Sequence, residues 1–410
     1  MKLLSGKKRF IAFLSIFFFL LGLGLYHREA YRLYKVVTLF DADQISYNFQ
    51  HMSDIFPYRT IAKGKPNFKL VNSPLKLPLE FEFNNQKFNI QDYLEQTRTT
   101  GFIVLKDSQI VFEKYFSGHN KDRLHISWSV NKSIVSALIG IAISEGYIDN
   151  VNQPVTRYAP EFTESGYDGV SIENVLQMSS GVSFNEDYAD FYSDINRMGR
   201  VIALGASINE FAATLKAHKP QGKFHHYVSM DTQVLGVVLK NAVGKSPSEY
   251  LHEKIWSKLG MRSDAKWLVD DTGMELAFGT LNVTLRDYAR FGLLFQNRGN
   301  WLGEQIIPED WFLRSTTPDK PHLMPGDNRY SSSKFGYGYQ WWVPDSSKND
   351  FMARGVYGQY IYVNPQQKIV IVKNSADPLW RSGSEENYKT TAMFQYIAQK
   401  LNSNFRQVLN

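Results

Sequence analysis

A serine followed three residues later by a lysine can supply a nucleophile and its base. The chain offers that pair at Ser5, Ser73, Ser129, Ser263 and Ser331. Context separates them. Ser5 precedes an apolar run, Ser73 is followed by Pro74, Ser263 stands in a charged loop and Ser331 in a run of serines. Only Ser129 heads a long apolar stretch, Ser129–Gly146, which has helical length and a glycine stop. On the first turn of such a helix Ser129 feels the positive end of the dipole, and Lys132 lies on the same face one turn along. Burial lowers a lysine's pKa, so a partly neutral Lys132 can take the serine proton. Taken alone, the pair also reads as a capping serine beside a snorkelling lysine.

Other chemistries are closed by inspection. The chain has no cysteine, which excludes a thiolate nucleophile, a disulfide scaffold, a Cys-ligated zinc and an iron–sulfur cluster. It has no G-x-S-x-G elbow and no H-E-x-x-H, and its histidines lack the clustered spacing of a binuclear metal site. Gly244-Lys245-Ser246 imitates the end of a phosphate loop, but Leu239 stands where that loop needs glycine. It reads as a helix-stopping glycine followed by a serine cap. The expected reaction therefore needs no metal and no cofactor.

The elements that must hold such a site come next. The chain of 410 residues is 43% hydrophobic, enough to bury a full core. Thr100–Phe116 reads as a hairpin about Lys106-Asp107-Ser108. Phe351–Asn374 reads as a strand pair turning at Asn364-Pro365-Gln366, and Asn387–Leu401 as a terminal amphipathic helix. Helical patterns with loops fill the region between, over 150–300. The expectation is an α+β domain whose sheet is built from distant parts, with a mostly helical second subdomain.

The net charge of +6 belongs to the first 35 residues, where Lys2, Lys7, Lys8, Arg9, Arg28, Arg32 and Lys35 face only Glu29. The remainder is balanced, which removes the basic excess as an argument for nucleic acid. Phe10–Tyr26 is free of charge and would reach roughly 25 Å as a helix, the short end of a membrane span. The expectation is an N-terminal transmembrane anchor over 1–26, or a signal peptide cut near Gly22-Leu23-Gly24, followed by a juxtamembrane linker over 27–75 and a catalytic domain over 76–410. The basic cluster before the run would place that domain in the periplasm of a bacterial inner membrane.

Trp128-Ser129-Val130-Asn131-Lys132-Ser133 resembles the nucleophile motif of the serine β-lactamase and penicillin-binding superfamily, and more narrowly that of class C-like esterases and 6-aminohexanoate-dimer hydrolases. Further blocks follow in order. They run over 170–181, Gly222-Lys223-Phe224-His225-His226-Tyr227-Val228-Ser229, 231–236, 277–282 with 286–292, and Tyr337-Gly338-Tyr339-Gln340-Trp341-Trp342. The resemblance spans about 95–400 and implies a β-lactamase-like fold, an antiparallel sheet flanked by helices. It implies Ser129 as nucleophile, Lys132 as its lysine and Tyr227 as the proton-moving tyrosine, although Y-x-[SN] recurs at Tyr330 and Tyr362. Ser229, Gly355 and Trp341 become candidate substrate contacts, and the backbone N–H groups of Ser129 and Val356 a candidate oxyanion hole. The two histidines before Tyr227 read as neither base nor ligand.

The departure lies at the motif usually written K-T-G or H-x-G, here Ala353-Arg354-Gly355. No Lys or His occupies the first position. Arg354 replaces the lost cation only if its side chain faces the cleft; strand neighbours alternate faces, and a solvated strand arginine is the plainer reading. The expected function is hydrolysis of a small-molecule ester or amide through an acyl-enzyme on Ser129. The alternatives are a catalytically idle binding or sensor protein on this fold, and a cell-wall D-Ala peptidase or β-lactamase.

Overall fold

The computed structural model describes residues 6–344, 348–380 and 385–409, and the side chains of 6–9, 19–29 and 404–409 lie outside that description. The centre is an antiparallel seven-stranded sheet. In chain order its strands are β1 (Thr99–Lys106), β2 (Gln109–Tyr115), β3 (Gly336–Tyr337), β4 (Trp342–Val343), β5 (Phe351–Gly355), β6 (Gln359–Asn364) and β7 (Ile369–Ser375). Their spatial order is β3-β4-β5-β6-β7-β1-β2, so strands from both ends of the domain meet at the β7–β1 pair.

β1 and β2 turn at Asp107-Ser108, both with positive φ (49° and 63°), the backbone that suits a two-residue hairpin. The stretch 351–374 is three strands rather than the expected pair. A further turn at Tyr357-Gly358, with φ of 60° and 86°, separates β5 from β6. The sequence hides it because Tyr357 is an unusual residue for a left-handed position.

Alternate residues serve two cores. Phe102, Val104, Tyr360, Tyr362, Ile369 and Ile371 face the terminal helix (Glu385–Leu409) through Met393, Phe394 and Ile397. Ile103, Leu105, Ile361, Val363, Val370 and Val372 face the helical side, where the helix Leu285–Gln296 lies against the sheet. That period of two is what a strand covered on both faces requires. Deeper on the helical side run α2 (Asn131–Ser144) and α4 (Ser229–Val243), both almost wholly buried. The amphipathic α3 (Asp194–Ala203) lies nearer the surface.

The N-terminal expectation is overturned. Among the described residues no helix is long and apolar enough to cross a membrane. The uncharged run belongs to α1 (Gly6–Val37), which continues without a break past Tyr26 into polar sequence. Its last turns serve the folded domain: Arg32 is ion-paired to Asp271 at 2.8 Å, and Val36 packs on the helical-side core. The transmembrane segment, the inner-membrane anchoring and the periplasmic placement are withdrawn with it. Beyond α1, Leu39, Ile45, Phe49, Met52 and Ile61 are buried in the same core.

Candidate active site

Ser129 sits on a single 3-10 turn, Trp128–Val130, that feeds directly into α2. The turn is tight enough to hold Trp128 at a φ of 44°, a left-handed position for a bulky residue. Two glycines let neighbouring backbone reach it. A Cβ on Gly355, at the end of β5, would stand 2.7 Å from the Ser127 carbonyl oxygen and 3.1 Å from the Ser129 nitrogen. A Cβ on Gly279 would stand 2.8 Å from the Trp128 carbonyl carbon. Strand and loop thus press on the turn from two sides, and Val356 is brought opposite Ser129.

Lys132 lies one helical step on, 1% exposed. Its Nζ is 3.1 Å from Ser129 Oγ and 3.4 Å from Ser229 Oγ, and it donates to the Phe278 carbonyl. Burial pulls its pKa down to about 7, against the opposing pull of Glu186 and Asp231. Tyr227 closes the group from the far side. Ser129 is near enough to its hydroxyl to favour the charged phenol slightly, and its ring lies 5.4 Å from Lys132 Nζ and stacks on Trp342 at 5.5 Å. Burial, reinforced by Glu186, pushes the Tyr227 phenol far above its ordinary value. At neutral pH the site therefore holds a lysine able to lose its proton beside a phenol that keeps its own.

Ser229 opens α4, and its hydroxyl and N–H donate to the two oxygens of Glu186 at 2.6 and 3.1 Å. That seats a carboxylate on a helix N-terminus. Tyr188 donates a third hydrogen bond to Glu186 at 3.1 Å. Desolvation raises the Glu186 pKa, and Lys132 opposes the rise. Behind them Asp231 is fully buried, held by Tyr167 at 3.0 Å and Ser180 at 2.9 Å.

Ser129, Tyr227, Gly355 and Val356 border a small polar chamber of about 100 Å³ with Glu186, His225, Trp342 and Arg354. Arg354 faces inward. Its guanidinium lies 4.7 Å from the ring centres of both Phe335 and Trp342, and no carboxylate among the described residues is ion-paired with it. His225 is neutral there: burial pushes its pKa down to about 3, and its Nδ1 is 3.0 Å from Ser331 Oγ.

Ser129, Lys132, Tyr227, Ser229, Gly355 and Val356 are thus brought together. Trp341 is not. It is fully buried against Phe291, Phe295 and Phe351, while its neighbour Trp342 lines the chamber. Adjacent residues of an extended chain face opposite ways, so only one of the two rings can reach the cleft.

The family profile described as Beta-lactamase matches residues 89–392. The chain belongs to the beta-lactamase family. Within it, a 6-aminohexanoate-dimer hydrolase of Paenarthrobacter ureafaciens is 33% identical over 298 residues, covering 71% of this chain and 76% of that one. A solved Bacillus anthracis protein assigned to the same hydrolase type superposes with a TM-score of 0.80 at 24% identity, over 89% of this chain and 96% of that one. EstCE1, a hydrolase with promiscuous acyltransferase activity, superposes with a TM-score of 0.59 at 14% identity, over 75% and 96%. The resemblance read from the motif blocks is borne out, and the protein is a hydrolase of the beta-lactamase fold.

Sequence reasoning missed Glu186 and Tyr188 outright. They follow the Ser179-Ser180-Gly181 block by a few residues and carry no spacing signal. Arg354 was visible, but its direction was not. The signal available was the Tyr337 to Trp342 block, whose rings could hold a cation.

Proposed function

We propose that this chain is a serine hydrolase that cleaves an ester or amide through an acyl-enzyme on Ser129. The observation that carries this reading is Lys132: wholly buried, 3.1 Å from Ser129 Oγ, with its pKa drawn to about 7. A lysine in that state accepts the Ser129 proton near neutrality. The Ser129 Oγ then bonds to the substrate carbonyl carbon, and the oxyanion that forms is received by the N–H groups of Ser129 and Val356. Tyr227, still protonated, gives its proton to the leaving group as the scissile bond breaks, and is reprotonated directly by Lys132, which gives up the proton it took from Ser129. Water repeats the sequence on the acyl-enzyme, leaving a free acid and the regenerated serine. Glu186 and Ser229 act through Lys132, holding its amine on Ser129.

The test is hydrolysis of p-nitrophenyl acetate by the wild type and by Ser129→Ala, together with labelling by a fluorophosphonate probe. Turnover and labelling that vanish in the variant support the reading. Wild-type turnover that survives the substitution ends it. Arg354 gives a second reading some weight, since a cation in the chamber suits the carboxylate of a β-lactam or a D-Ala peptide. Failure of fluorescent penicillin to acylate Ser129 removes that reading and leaves the first intact.

A further inference from the structure

Ser129 and Val356 also border a second space. It is a cavity of about 640 Å³, several times the polar chamber and within the range of small-molecule sites. Its walls come from segments far apart in sequence: Val36 in the last turn of α1 and Phe40 just after it, Ile195 and Met198 on α3, and Leu276 with Phe278 beside the nucleophile turn. Arg200 is the one charged side chain among the described residues that line it. That charge is held at the edge, with Nη1 donating to the Phe191 carbonyl at 2.7 Å and the guanidinium 4.2 Å from the Phe191 ring. Val37 and Phe191, 73% and 63% exposed, extend the apolar surface outward at the rim.

The two spaces are not interchangeable for a substrate. Tyr227 borders the polar chamber and does not border the cavity. On the mechanism proposed above, the leaving group must lie within reach of the Tyr227 proton, so it occupies the polar chamber. The carbonyl carbon is then at Ser129, its oxygen on the two N–H groups, and the third substituent of that carbon points into the cavity. We infer that the acyl group of the substrate is a long apolar chain, on the order of a medium-chain fatty acid, housed between α1 and α3, with a polar leaving group on the far side of Ser129. This inference rests on the serine-hydrolase reading.

The experiment is the kcat/KM of p-nitrophenyl esters from acetate to decanoate, each kept below its aggregation limit. Burial of one methylene is worth roughly fourfold. The expected result is a rise with chain length that puts octanoate at least about a hundredfold above acetate. Two variants fill the cavity. Met198→Trp adds bulk from the buried side of α3. Gly199→Phe adds a ring at the mouth, where a new Cβ meets nothing within 4 Å, so this variant keeps the test alive if the first fails to fold. Both are expected to erase most of the octanoate advantage and to leave acetate within about threefold of wild type. A flat or falling series, or a loss shared equally by acetate and octanoate in Gly199→Phe, overturns the inference while Ser129-dependent turnover of acetate keeps the serine-hydrolase reading. Turnover of acetate that persists in Ser129→Ala overturns both.

Discussion

Two spaces meet at Ser129, and they are built differently. The polar chamber is framed by the end of β5 and by rings that brace one another: Trp342 stacks on Tyr227, stands at 81° to Tyr337 and holds Arg354 between itself and Phe335. The apolar cavity is framed by pieces of helix and loop, of which α3 and the end of α1 lie near the surface. The end of a strand paired on both sides fixes atoms to within fractions of an ångström, which proton transfer needs. A cavity that recognises chain length needs only shape and volume. The division predicts that changes in the chamber damage every substrate, whereas changes in the cavity sort substrates by size.

The largest effect should fall on the amine behind Ser129, the nucleophile that both spaces share. Lys132→Met keeps the apolar bulk of the side chain and removes the amine, and kcat/KM should fall by about 10⁴-fold for acetate and octanoate alike. A loss confined to one chain length would break the division at its centre. Gly355→Ala comes next. The added Cβ has no room between the Ser127 carbonyl and the Ser129 nitrogen, so β5 must withdraw and carry the Val356 N–H with it. Loss of one oxyanion donor costs about 10²- to 10³-fold in kcat. Steady-state kinetics should show that loss for both esters, with KM nearly unchanged.

Ser129 and Lys132 were legible because their geometry is local: three residues on one helix fix the distance, whatever else the chain does. The α+β architecture was legible from strand patterns at both ends of the domain. Tyr227 needed the motif blocks, since nothing in its own neighbourhood says that it reaches Ser129 across nearly a hundred residues. Glu186 and the cavity were not legible at all. They arise where 36–56, 186–202 and 268–280 converge, and convergence of distant segments leaves no period in the sequence. The apolar run near the N-terminus misled for a related reason. Composition describes a segment, while Arg32 pairing with Asp271 is a fact about two.

The pH dependence should be shared by both spaces again, at smaller magnitude. On the proposed mechanism Lys132 acts as a neutral amine, and its pKa is lowered to about 7. Below that value the amine is protonated and kcat/KM should drop about tenfold per pH unit; above it the profile should flatten. Acetate and octanoate should trace the same limb. A limb that shifts with chain length would mean that the occupied cavity changes the burial of Lys132, tying together two regions held here to be separate.

The smallest effect is the most selective. Arg354 lies in the chamber with no carboxylate paired to it among the described residues, gripped by two aromatic faces. A guanidinium so placed can receive an anionic leaving group. A hydrogen bond to a charged group is worth about 1.5–3 kcal/mol, reduced here because Arg354 is not fully sealed from water. Arg354→Met preserves contact with the rings through its thioether and removes the charge. For 4-carboxyphenyl octanoate, KM should rise about tenfold, while neutral phenyl octanoate should be unaffected. Gly199→Phe should do the reverse, discriminating by acyl chain and ignoring the charge on the leaving group. If Arg354→Met instead harms both esters equally, the arginine serves only to hold Trp342 and Phe335 in place, and the chamber reads no charge at all.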